Sequence, residues 1–133
     1  DAVVCDYAHH PTEISKAINS AKKIYKNRKV ITIFQPHTYS RTKLLLNDFV
    51  KTFQEIEEPL FFKTYSAREK PEDGLSALQL AEELKKTYKN AKYFENFEDL
   101  KTFLLQKQKN EVMLLFVGAG DLPKILHKNN FIS

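Results

Sequence analysis

One cysteine, no tryptophan, one methionine and three glycines are all that 133 residues contain of these types. A lone Cys5 excludes an intrachain disulfide. Gly74, Gly118 and Gly120 are too few and too dispersed to supply the six-position dinucleotide fingerprint, and no P-loop is present either. Any step that uses ATP would therefore need a phosphate cradle from another domain. No apolar stretch reaches the roughly 18 residues of a membrane span, and the first residues lack the basic, apolar and small-residue order of a signal peptide. These absences point to a reducing, soluble compartment and away from a membrane. The chain opens on Asp1 rather than Met and reads as a piece of something longer.

A hydrophobic fraction of 42% is enough to bury a core without staples, and one domain is the default at this length. The net charge of +4 is spread along the chain. Nucleic-acid readers gather a basic stripe with exposed aromatics, whereas Lys22, Lys23, Lys85 and Lys86 fall on the polar faces of expected helices. No nucleic-acid partner is expected.

Apolar, β-rich runs alternate with helical patterns. Strands are expected at Ala2–Cys5, Val30–Phe34, Leu60–Thr64, Lys92–Phe94 and Val112–Val117, and helices at about Pro11–Lys26, Ser40–Ile56, Leu75–Tyr88, Phe97–Gln108 and Leu122–Lys128. Strict alternation implies a three-layer, doubly wound α/β fold, Rossmann-like, with a mostly parallel sheet of about five or six strands. Ser40, Asn96 and Asp121 stand where helix caps are needed. No repeat or Gly/Ser-rich linker suggests a second domain within residues 1–133.

In such a sheet every strand-to-helix turn opens on one edge, where open α/β sheets bind ligands. Four turns carry more chemistry than a turn requires: Asp6 to His10, Gln35 to Arg41, Tyr65 to Glu69, and Gly118 to Asp121. Asp6 either ties its own turn or meets a ligand, and Tyr7 is either a core plug or a stacking surface. His9 and His10 diverge on any regular backbone, so at most one faces inward, and His9 is the better candidate. Arg41 near a helix start opposes the helix dipole, which favours an anionic partner over a structural role. His127 is expected at the solvated surface. Asp6, His9, His10 and His37 could ligate a metal by type, but adjacent histidines lack the i, i+4 spacing that shares a helix face, and no dedicated metal site is expected.

Four segments in order, Asp6-Tyr7-Ala8-His9-His10-Pro11-Thr12-Glu13, Phe34-Gln35-Pro36-His37-Thr38-Tyr39-Ser40-Arg41-Thr42, Tyr65-Ser66-Ala67-Arg68-Glu69 and Gly118-Ala119-Gly120-Asp121, resemble the C-terminal domain of the Mur ligases. The resemblance covers almost the whole chain. It implies a cytoplasmic, bacterial, three-domain enzyme of peptidoglycan synthesis, with N-terminal UDP-binding and central ATPase domains beside this one. It further implies ATP and Mg2+ as cofactors, and UDP-N-acetylmuramate and L-alanine as the substrates joined through an acyl phosphate. Isolated residues 1–133 would then be inactive.

By motif, the resemblance places Asp6 on the ATP ribose, Tyr7 on the adenine or amino-acid side of the cleft, and His9 at the reacting acyl phosphate. It pairs Arg41 with the alanine carboxylate and lets His37 wall the same pocket. Tyr65, Arg68, Glu69 and Asp121 receive only a place at the cleft rim. Two departures stand out: Cys5 occupies a position where many members have a second acid, and Thr38 one where many have arginine. A murein tripeptide ligase is the near alternative, with Glu13 favouring the alanine enzyme. A free-standing nucleotide- or phosphate-binding module and a metal-dependent hydrolase are the distant ones.

Overall fold

The computed structural model describes residues 2–88, 90–107 and 109–131. Along its central strands side chains alternate between two faces, as the two-residue period of extended chain requires. In β5 (Val112–Val117), Met113, Leu115 and Val117 enter one apolar cluster while Leu114 and Phe116 enter another. In β2 (Lys29–Phe34), Val30 and Phe34 join the first cluster and Ile31 and Ile33 the second. With both faces apolar, both must be covered by helices. Residues of α1 (Pro11–Ile24), α3 (Leu46–Gln54) and α4 (Ala77–Lys85) pack in the first cluster, and those of α5 (Phe97–Leu105) and α6 (Leu122–Lys128) in the second.

With β1 (Val3–Asp6), β3 (Glu58–Phe62) and β4 (Lys92–Phe94), the sheet has five parallel strands in the order β1-β5-β2-β3-β4. This is the expected three-layer, doubly wound α/β fold. The chain steps outward from β2 to β4, and α5 then carries it back to insert β5 between β1 and β2. That return places the turn after β5 between the turns after β1 and β2. Register keeps the ends level, because Asp6 and Phe34 both pair with Val117, and Phe34 pairs with Phe61.

Several boundaries differ from expectation, each for a local reason. The helix expected over Ser40–Ile56 is two, α2 (Tyr39–Leu44) and α3, separated at Leu45. The break lets α3 turn Phe49 and Phe53 onto Phe34, with ring centroids 5.3 and 5.2 Å away. Thr38, not Ser40, caps α2 by accepting the Arg41 amide. Asn96 caps α5 as expected, but Asp121 makes no side-chain cap for α6. β3 begins earlier than Leu60 because Glu58 and Pro59 already pair with Ile31 and Thr32 of β2, and Pro59 is tolerated there because it precedes the first residue paired to β4. Thr64 lies beyond the strand, where its hydroxyl accepts the Ala77 amide, and Ser76 with Gln79 forms the capping box of α4. β1 runs to Asp6, α1 stops at Ile24 and α4 at Lys85, while Gln108, the expected end of α5, lies outside the described residues.

At the opposite edge of the sheet, Glu58 is 8% exposed and lies 3.0 Å from both Lys29 Nζ and Lys107 Nζ. Burial alone would raise its carboxyl, but the hydrogen bonds and charges of Lys107 and Lys29 outweigh burial and hold it below the ordinary carboxylate range. The same contact raises the Lys29 ammonium above its ordinary value. A lowered acid stabilises the fold above its unfolded-state pKa and a raised ammonium below its own, so this clamp is intact across neutral pH and weakens toward either extreme. Glu58→Gln should lower stability by about 1–3 kcal/mol at neutral pH. The gap from wild type should close in urea titrations repeated well below the ordinary carboxylate range.

Candidate functional site

Parallel strands force the four polar turns onto one edge, and the strand order makes them neighbours. The turns are also stitched together. The Gly118 amide donates to the Asp6 carbonyl at 3.0 Å, and the Gln35 amide to the Val117 carbonyl at 3.0 Å. Thr38 N donates to the Tyr65 carbonyl at 2.8 Å, and Tyr65 N to that of Pro36 at 2.9 Å. Gln35 itself is wholly buried: its Nε2 donates to the Lys63 carbonyl and to Asp121 Oδ1, and its Oε1 accepts the Leu122 amide. Asp121 is therefore spent on Gln35, which takes over its expected place at the start of α6. A Cβ at position 120 would stand 2.5 Å from Tyr65 Cβ and 2.7 Å from Gln35 Oε1, so only glycine lets these turns close.

The adjacent histidines separate by hydrogen bonding. His10 is the N-cap of α1: its Nδ1 accepts the Thr12 amide at 3.2 Å, while Glu13 Oε1 accepts the His10 amide at 3.1 Å. His9 Nδ1 lies 3.3 Å from the Tyr7 carbonyl oxygen, which can only accept. In its neutral form His9 thus carries its proton on Nδ1 and leaves Nε2 with a lone pair, whereas His10 has the opposite tautomer. Glu13 is a capping residue, its carboxyl held below the ordinary range by the His10 and His9 amides, and that duty alone accounts for an acid at this position.

His9 is half-buried and faces His37 at 6.3 Å between ring centroids, and His37 lies 5.4 Å from Tyr65. The Nδ1 of His37 is buried without a hydrogen-bond partner. Burial, then the charges of Arg41 and His9, push its imidazole below the ordinary value, with Glu69 opposing. Arg41 is half-buried, and its guanidinium makes no hydrogen bond or ion pair among the described residues. Asp6 is exposed and gives one oxygen, Oδ1, to the Ala8 amide, so it does tie its own turn as well as standing at the edge. Tyr7 is 68% exposed and is no core plug. Asp6, Tyr7, His9 and Glu13 line one end of an open groove of about 790 Å³ that runs between β1 and α1. A second depression, of about 450 Å³ among Lys101, Leu104, Val112 and Phe131, has no acid or histidine in its wall. His127 is exposed, as expected.

The structural roles of two residues of this edge, Glu69 and Thr38, are not legible in the sequence. Glu69 accepts the Tyr39 and Ser40 amides at 2.8 and 2.9 Å and the Ser40 hydroxyl at 2.5 Å, anchoring the third turn over the start of α2. Thr38 adopts φ 67°, ψ 153°, a region that β-branched residues avoid at a cost of about 1–3 kcal/mol. The resemblance puts Glu69 at the cleft rim and marks Thr38 as a departure, but neither residue type discloses the hydrogen bonds or the backbone conformation.

Residues 1–120 match the family profile described as "Mur ligase, glutamate ligase domain". The chain belongs to the Mur ligase family. Among curated Mur ligase relatives, the UDP-N-acetylmuramate–L-alanine ligase of Clostridium botulinum is 42% identical over 123 residues, 92% of this chain and 27% of that one. The chain thus spans about a quarter of the length of such relatives. The solved UDP-N-acetylmuramate-alanine ligase of Thermotoga maritima aligns with a TM-score of 0.70 at 26% identity, over 97% of this chain and 26% of that one. A murein peptide ligase from Psychrobacter arcticus shares the fold, with a TM-score of 0.72 at 14% identity over 98% of this chain and 27% of that one.

The neighbours of His37 make its titration a test of this Mur ligase edge. Its ring should titrate below the ordinary imidazole value in an NMR pH series, and Arg41→Ala should move it upward by removing a nearby positive charge.

Proposed function

We propose that this chain is the C-terminal domain of a three-domain, ADP-forming ligase that joins L-alanine to UDP-N-acetylmuramate in the bacterial cytoplasm. The observation that carries the proposal is the convergence, on one sheet edge, of unpaired Arg41 with His9, His37 and Asp6. Support comes also from the 42% identity to a ligase of that name.

In the proposed reaction a muramoyl carboxylate oxygen attacks the γ-phosphorus of ATP, and ADP leaves. The alanine nitrogen then attacks the acyl carbon, loses a proton, and phosphate departs as the amide forms. Arg41 holds the alanine carboxylate, a task for which the planar guanidinium fork is suited. His9, with Nδ1–H tied to the Tyr7 carbonyl, offers its Nε2 lone pair to the proton that the amine must shed. His37, kept neutral by burial and by Arg41, walls the pocket without adding a charge that would repel an ammonium group. Asp6 retains Oδ2 for a ribose hydroxyl, and exposed Tyr7 supplies a surface for adenine or substrate.

Magnesium, when bound, would neutralise phosphate charge during the transfer. Among the described residues no three His, Cys, Asp or Glu side chains are grouped to hold a metal. The P-loop and the UDP-sugar site belong, in this proposal, to the other two domains. No helix among the described residues is long and apolar enough to cross a membrane, which accords with a cytoplasmic setting.

The full-length enzyme should release phosphate from ATP only when UDP-N-acetylmuramate and L-alanine are both present, and residues 1–133 alone should release none. Turnover by the isolated domain, or by the full-length enzyme without alanine, would overturn the proposal. In the full-length enzyme, Arg41→Ala should raise the KM for alanine by roughly 10- to 100-fold while moving that for ATP by less than about threefold.

A further inference from the structure

Arg68 has φ 78° and follows Ala67 at φ 49°. Glycine adopts such backbone freely, and a residue with a Cβ adopts it at a cost. No local interaction of the side chain offsets that cost. Arg68 is exposed, and its guanidinium makes no hydrogen bond or ion pair among the described residues. The structural duty of the turn falls on the next residue, Glu69, through its bonds to Tyr39 and Ser40. The turn therefore needs a left-handed residue at 68 and an acid at 69, but nothing in it needs arginine.

The two segments on which Arg41 and Arg68 lie are zipped together. Thr38 N bonds the Tyr65 carbonyl, and Ser40 N bonds Glu69 Oε1. Arg41 is the residue after Ser40, and Arg68 the residue before Glu69, so their long side chains leave the edge from adjoining points. The nearby Glu69 carboxylate is already engaged three times over by Tyr39 and Ser40. Neither guanidinium has a carboxylate partner among the described residues, so both are free to receive an anion.

We propose that Arg68 is a second anion-binding group of this edge and that it clamps, with Arg41, the carboxylate of the incoming amino acid. The choice of that carboxylate rests on the function proposed above. Strain at position 68 is then kept because glycine, the better backbone residue, would leave Arg41 to act alone.

Arg68→Gly in the full-length enzyme separates this role from a structural one. The variant should melt at or above the wild-type temperature, because glycine relieves the backbone, yet its KM for L-alanine should rise about tenfold with that for ATP changed by less than about twofold. An alanine KM within about twofold of wild type, or a rise confined to ATP, overturns the proposal. If the wild-type enzyme releases phosphate regardless of alanine, the functional proposal fails instead. The arginine pair is then judged by calorimetric titration of inorganic phosphate into the full-length protein. Weaker binding in Arg68→Gly supports the pair, and equal binding overturns it.

Discussion

One buried amide sets the geometry of the functional edge. A side-chain amide sealed from water must place both its donors and its acceptor, and Gln35 does so on three different segments: the end of β3 at Lys63, the turn after β5 at Asp121, and the first turn of α6 at Leu122. Those bonds fix how far each turn stands above the sheet. They also account for the residues around them, since Gly120 lies where Gln35 Oε1 and Tyr65 leave no room for a side chain. His37 keeps its distance from His9 and Tyr65 because the segments carrying all three are held by the same network.

Convergence of the four turns was legible because it follows from topology alone: strands that alternate with helices run parallel, and parallel strands share an end. Which histidine faced inward was less legible. It turned on the ring nitrogen of His10 accepting an amide, a contact that residue type does not disclose. The break at Leu45 was hidden for a different reason, because the apolar spacing of the expected helix continues across it, and only the need to set Phe49 and Phe53 against Phe34 divides it. Asp121 has the composition of a cap, yet a partner 86 positions away in sequence claims it. Glu58 was equally invisible, since Lys29 and Lys107 reach it only once the chain has folded.

The acids of this edge are engaged by backbone and side-chain hydrogen bonds rather than by ion pairs with its arginines. Glu13 is taken up by the amides of His9 and His10, Glu69 by Tyr39 and Ser40, and Asp121 by Gln35, while Asp6 has given one oxygen to Ala8. Arg41 is left without an ion-pair partner among the described residues, and its charge helps hold His37 below the ordinary imidazole value.

Glu58 and its two lysines occupy the far end of the same strands, across roughly 20 Å of apolar sheet at about 3.3 Å per residue. No hydrogen bond or ion pair links this cluster to the polar turns among the described residues. Substitutions among these anchoring charges should therefore alter stability while leaving the geometry of the polar turns in place.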